Sequence, residues 1–268
     1  MEQNPPDIED ADLLKEYGEA FFGYGSWDAD YWLIGIEERG AETEDEFSNR
    51  FKAWNKMEAE EKKRGLVDLR DYASESKIEL DWTNPTWRAM QTVCSEIGLK
   101  SGVGGEGKKK GGGKDNENVP SRVALIEAMP FPAPVIKQWP YEDWPKFEME
   151  TRKKCAEKFL HLRFKQLVGK LKKHQPKLVV LYGQRYAERV DVREEWKKEI
   201  KIICDDENWC KDSVSVNGSK KSHFEWKRIP WSQNSHSLLF CMAQPASMRG
   251  NIPILLNCLG QKINKLMI

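Results

Sequence analysis

The chain has 268 residues and a mass of 31.1 kDa, enough for one large or two small domains at roughly 150 residues per domain. Hydrophobic residues make up 39% and charged residues 32%, and no window approaches the roughly 18 apolar residues that a membrane helix needs, so a helical membrane protein is excluded. Lys+Arg 43 balance Asp+Glu 43, so whole-chain electrostatics favour neither nucleic acids nor acidic ligands and any basic face must be local.

Met1 to Pro6 carries neither the basic nor the apolar region of a secretion signal, which predicts a cytoplasmic protein. The six cysteines lack paired CxxC spacing, and a chain this long needs no disulfide framework, so they read as reduced thiols. His161, His174, His223 and His236 do not recur at ligand spacing, so neither a metal nor a cofactor is expected.

Residues 7 to 22 place Ile8, Leu13, Leu14, Tyr17, Phe21 and Phe22 at near-helical spacing and predict a leading helix. Tyr31 to Ile34 is a short apolar run closed by Gly35, followed by a charged helical stretch from about Glu42 to Arg64. Asn84-Pro85-Thr86 signals the start of another helix, with proline in its first turn. Residues 101 to 120 are dominated by glycine and lysine and read as a flexible loop.

Arg122 to Met129 reads as a buried strand broken by Pro130, Pro132 and Pro134. A long helical pattern from Phe147 to His174 precedes the clearest strand, Pro176 to Gly183, and a further helix follows. The stretch from Ile200 to Ser232 is irregular, with Asn217-Gly218 marking a turn between short strands. A last strand, Ser237 to Met242, enters Ala243 to Gly250, and a closing helix spans roughly Ile252 to Met267.

Four apolar runs alternating with helices predict a single three-layer α/β/α domain over residues 1–268, with a central, mainly parallel four-stranded sheet. Ligands of such sheets sit beyond the carboxyl ends of the strands. The segments after Ile34, Ile126, Leu181 and Met242 are therefore expected to converge on one crevice.

Those segments are Gly35-Ile36-Glu37-Glu38-Arg39-Gly40, Glu127-Ala128-Met129-Pro130-Phe131-Pro132, Gly183, and Gln244-Pro245-Ala246-Ser247-Met248-Arg249-Gly250. In this order they resemble the loops of the uracil-DNA glycosylase superfamily: a glycine-containing loop after the first core strand, a base-reading residue on the second strand, and a closing His-Pro-Ser or His-Pro-Ala loop. The proline-rich stretch from Pro130 to Pro145 and the Pro-Lys-Leu-Val-Val-Leu-Tyr-Gly strand resemble the thermostable branch, whose iron–sulfur cysteines this chain lacks.

The resemblance implies a monofunctional DNA glycosylase that flips a nucleotide from the duplex, acts as a monomer and needs no membrane. Glu37 falls opposite the catalytic aspartate of the best-known branch, with Glu38 in reserve; on the residues alone both are equally solvated acids near a helix N-terminus. Glu127 occupies the place of an asparagine that pairs with uracil. An ionised carboxylate only accepts hydrogen bonds, so it suits the N4 amino group of a cytosine-like base, unless it merely caps a helix or pairs with a lysine at the strand end.

Gln244 stands in place of the family's histidine, donating to the departing base without an imidazolium's charge. Ser247, Met248 and Arg249 would meet the DNA, with Met248 as the wedge that fills the gap left by the flipped nucleotide. Phe47 and Phe131 are candidates to stack on the base, or equally core residues. Lys108, Lys109 and Lys110 either touch phosphates or belong to a solvated linker. The favoured substrate is a hypermodified cytosine of phage DNA, such as glucosylated 5-hydroxymethylcytosine, in anti-phage defence; uracil repair and a catalytically silent DNA-binding module are the alternatives.

Overall fold

The computed structural model describes residues 11–36, 44–77, 122–133, 139–142, 148–182, 185–187, 190–204, 208–215, 221–242 and 260–266. The leading helix is α1 (Ala11–Ala20), with Leu14 and Tyr17 buried three residues apart on one face. It is followed by the two-residue strand β1 (Gly23–Tyr24) and by β2 (Tyr31–Gly35), buried throughout. The expected charged helix divides into α2 (Glu44–Lys56) and α3 (Ala59–Arg64); the second ends at Gly65, whose φ of 76° suits glycine. Next come β3 (Leu66–Val67), α4 (Leu69–Ser76) and β4 (Val123–Glu127).

The long helix α5 (Arg152–His174) starts five residues later than its periodicity predicts, because the Thr151 hydroxyl caps it by accepting from Lys154 N–H at 3.1 Å. Gln175 closes it in the left-handed region at φ 48°, and Pro176 prevents its continuation. Then follow β5 (Leu178–Tyr182), a separate hairpin of β6 (Arg185–Ala187) and β7 (Val190–Asp191), and α6 (Val192–Ile200), capped by Asp191. The chain continues through β8 (Cys210–Ser215), β9 (Lys221–Ser232) and β10 (Ser235–Met242), and residues 260–266 are helical.

The main sheet has eight strands in the order β3-β1-β4-β2-β5-β10-β9-β8. This corrects the four-stranded expectation. The four apolar runs do form a contiguous parallel block, β4-β2-β5-β10, but antiparallel β1 extends it on one side and the antiparallel pair β9 and β8 on the other. The stretch read as irregular is thus largely strand. Its outer strands carry charged residues on a sheet edge, and Pro230 sits opposite His236 beside a register shift, where a missing N–H is tolerated.

Successive strand residues point to opposite faces. Lys197 of α6 pairs with Glu225, whereas Lys262 of the 260–266 helix reaches Asp212 at 2.6 Å. Glu225 lies opposite Lys211, one step along from Asp212, so these two helices cover opposite faces of the sheet. At the amino ends of the parallel strands the Asp30 carboxylate accepts from Arg122 Nε at 2.9 Å and Nη2 at 2.6 Å, and lies 3.3 Å from Lys177 Nζ, tying together the starts of β2, β4 and β5.

Candidate functional site

Register brings one residue of each central strand into a single row at the carboxyl end of the sheet: Glu127 pairs with Gly35, Ile34 with Leu181 so that Tyr182 follows beside Gly35, Tyr182 with Met242, and Met242 with Phe224. Aligned residues share a face, so the side chains of Glu127 and Tyr182 flank the bare backbone of Gly35. A Cβ on Gly35 would lie 2.6 Å from Glu127 Oε2 and 2.8 Å from the Tyr182 hydroxyl oxygen. A side chain here would occupy the point where the carboxylate and the hydroxyl converge, so glycine lets both side-chain ends keep their places.

The backbone beyond the row is held as well. Ala128 N–H donates to Gly35 C=O at 2.8 Å and Met129 N–H to Ile36 C=O at 2.7 Å, so the exits of β2 and β4 run side by side. Glu127 N–H donates to Phe22 C=O at 2.9 Å. The Arg163 side chain, fully buried on α5, donates from Nη2 to Glu127 C=O at 2.7 Å, from Nε to Ala128 C=O at 2.8 Å and from Nη1 to Gly18 C=O at 2.7 Å. Its guanidinium lies 4.2 Å from the centre of the Phe22 ring. Burial lowers its pKa to about 9, with Tyr17, Cys155 and Glu127 opposing the shift, so the group keeps its charge at neutral pH.

The structure thus brings Glu127 to the place the sequence assigned it and adds two residues that sequence reasoning missed. Tyr182 is the last residue of the strongest apolar run, where a hydroxyl just before a glycine was the available signal. Arg163 interrupts an otherwise apolar stripe of Phe159, Leu160, Phe164 and Leu167, and a cation at a core position of a helix is itself a sign of a buried polar task.

Phe47 and Phe131 are placed in the interior, 2% and 0% exposed. Phe131 packs against Tyr17, Phe47, Tyr141 and Phe159 with ring centres 5.5–6.4 Å apart, and Phe47 also meets Phe51 at 5.1 Å. Neighbouring rings enclose both, so neither offers a free face for a base to stack on. Glu37, Glu38, Lys108, Lys109, Lys110, Gln244, Ser247, Met248 and Arg249 lie outside the described residues, as do the helix expected after Asn84 and the loop of residues 101–120.

A cleft of about 480 Å³ flanks the row on the β8–β9 side, with Phe224 and Glu225 among its walls. Lys197 binds Glu194 at 3.1 Å and also Glu225, and Lys262 binds Asp212, so each of these acids of the wall already has a cationic partner. Among the described residues no group of three or more His, Cys, Asp or Glu side chains is arranged to hold a metal ion. Nor is any helix among them long and apolar enough to cross a membrane. Burial pushes the Cys241 thiol well above its ordinary value, which disfavours a thiolate there.

The fold and this row define an α/β protein with a polar strand-end site. Comparison with protein-family models, curated proteins and solved structures found no significant match.

One substitution tests the spatial argument directly. Gly35→Ala must displace the Glu127 carboxylate or the Tyr182 hydroxyl by a sizeable fraction of an ångström. The expected result is a loss of about 1–3 kcal/mol in urea unfolding, the cost of overpacking, with an unchanged far-ultraviolet circular dichroism spectrum; a variant as stable as the wild type would show that the point over Gly35 has room for a methyl group.

Proposed function

We propose that the protein is a monofunctional DNA glycosylase that hydrolyses the N-glycosidic bond of a modified cytosine, favoured as a hypermodified cytosine of phage DNA such as glucosylated 5-hydroxymethylcytosine, in anti-phage defence. The observation that carries this reading is the Glu127 carboxylate, held with the Tyr182 hydroxyl over Gly35 at the carboxyl ends of the parallel strands. A carboxylate accepts from the exocyclic amino group of cytosine and repels the O4 carbonyl of uracil.

In this reaction the C1′–N1 bond breaks with its electron pair going to the base, a water oxygen adds to C1′, and one water proton ends on the released base. In the proposal Glu37, which follows directly on Ile36 at the exit of β2, supplies the negative charge that stabilises the oxocarbenium-like sugar and orients the water, with Glu38 as the neighbouring acid. Gln244, shortly after β10, donates its amide N–H to the leaving base. Ser247, Met248 and Arg249 hold the gapped strand, and Lys108, Lys109 and Lys110 contact its phosphates. Phe47 and Phe131 support the core and do not stack on the base.

The test uses duplexes carrying uracil, 5-hydroxymethylcytosine, glucosylated 5-hydroxymethylcytosine or cytosine and scores alkali-labile sites for the wild type and Glu37→Gln. The expected outcome is strand scission at modified cytosines alone, reduced at least about 100-fold by the substitution. Scission at uracil alone would replace this reading with a repair glycosylase. No scission on any duplex, with DNA still bound, would replace it with a non-catalytic DNA-binding module.

A further inference from the structure

Charge in this neutral chain is unevenly distributed, and α5 is where the positive charge gathers: its 23 residues carry nine lysines and arginines against the single acid Glu157. Most of these cations are engaged. Arg152 and Arg163 are buried. Lys153, Lys154 and Lys158 pair with Glu157, Glu150 and Glu148, and Lys170 lies 5.1 Å from the Trp27 ring centre. Lys165, Lys172 and Lys173 remain exposed, and among the described residues no carboxylate lies within ion-pair distance of them.

These three are seven and eight residues apart, which returns them to one side of a 3.6-residue helix. They form a cationic seam about 12 Å long at 1.5 Å per residue, while Lys154 and Lys158, on the same line, are paired with Glu150 and Glu148. Between Lys165 and Lys172 sits Gly169, exposed, where an added Cβ would meet nothing within 4 Å among the described residues. Glycine weakens a helix interior, and packing against the described residues does not require it here. It leaves a flush notch in the seam through which another backbone can approach closely.

We infer that the Lys165–Lys172–Lys173 face of α5 docks the phosphate backbone of a nucleic-acid duplex, as a contact separate from the site at the carboxyl ends of the strands. Charge complementarity calls for an anionic partner, and the lack of apolar anchors argues for a phosphate backbone over an acidic protein. A protein interface draws on buried aromatic or aliphatic anchors, and the one exposed large hydrophobic residue among the described residues, Ile202, lies outside α5. A row of point charges without such anchors matches the regular charge of a phosphate backbone. The end of α5 that carries Lys172 and Lys173 leads into the amino end of β5, opposite the pole where Glu127 sits. The contact therefore lies at the pole opposite Glu127 and does not depend on the glycosylase reading.

The experiment measures binding of an unmodified fluorescein-labelled 30-base-pair duplex by anisotropy from 50 to 300 mM KCl. It compares the wild type, the triple variant Lys165→Gln/Lys172→Gln/Lys173→Gln, and a control of equal charge change, Lys15→Gln/Lys52→Gln/Lys56→Gln. Loss of three phosphate contacts lowers the slope of log affinity against log salt by about 2.7 and weakens binding at 100 mM salt roughly 100-fold or more, while the control keeps the wild-type slope. An unchanged slope in the triple variant, absence of duplex binding by the wild type, or displacement of the duplex by polyglutamate as efficiently as by unlabelled DNA would overturn the inference. Excision activity of the triple variant at saturating substrate is read separately; its retention leaves the two conclusions independent.

Discussion

Replacing Arg163 with methionine is expected to lower the stability of the protein by about 3–5 kcal/mol, the range for removing one partner from a buried charged network. The side chain is fully buried and meets three backbone carbonyls, those of Gly18, Glu127 and Ala128, at 2.7–2.8 Å. Methionine fills much of the volume but donates nothing, so three carbonyls lose their partner at about 1–3 kcal/mol each, partly recovered by relaxation and by no longer burying a charge. Lysine in the same place keeps the charge, yet its compact ammonium lacks the planar fork that spans α1 and β4, so Arg163→Lys should fall between methionine and the wild type. Urea unfolding at pH 7 measures the difference through the midpoint at constant m. A methionine variant within about 1 kcal/mol of the wild type would show that the guanidinium is not what fastens the end of β4.

Glu127→Gln is expected to change selectivity more than stability. The carboxylate can only accept, whereas the amide presents an acceptor on one side and a donor on the other. An amide can face the O4 of uracil with its N–H₂, while its interaction with a cytosine amino group loses the negative charge that strengthened it. Discrimination of this kind is worth about 1–3 kcal/mol per base contact, so the ratio of kcat/KM on 5-hydroxymethylcytosine to that on uracil should fall roughly 10- to 100-fold. An unchanged ratio would remove Glu127 from base recognition and leave it as a strand-end residue whose backbone the Arg163 and Phe22 contacts hold.

The parallel block was legible in the sequence because strands buried on both faces read as unbroken apolar runs: Tyr31 to Gly35, Val123 to Glu127 and Leu178 to Tyr182 are buried along almost their whole length. The flanks were not legible, for two different reasons. β1 and β3 are two residues long and leave no periodicity to detect, and β8 (CKDSVS) and β9 (KSHFEWKRIPWS) hold neither an unbroken apolar run nor a sustained apolar/polar alternation, with Lys227-Arg228 adjacent and Pro230 inside β9.

Within the site, Glu127 was legible since it ends an apolar run at the pole where ligands of parallel sheets bind. Phe47 and Phe131 were not separable in sequence, because a ring that fills a core and a ring that stacks on a base are the same residue type at the same spacing. Only their enclosure by Tyr17, Tyr141 and Phe159 distinguishes them. Arg163 belongs to the same class of omission: its partners are carbonyls up to 145 residues away in sequence, and local pattern carries no trace of such contacts.

Mass spectrometry of both products from a duplex containing a single glucosylated 5-hydroxymethylcytosine shows which bond is cut. Hydrolysis of the N-glycosidic bond gives a free glucosylated base in solution and, in equal amount, a strand lighter by that base and heavier by one hydroxyl, with the sugar–phosphate backbone intact. A strand of unchanged mass, or release of the glucose while the cytosine stays attached to DNA, would contradict it.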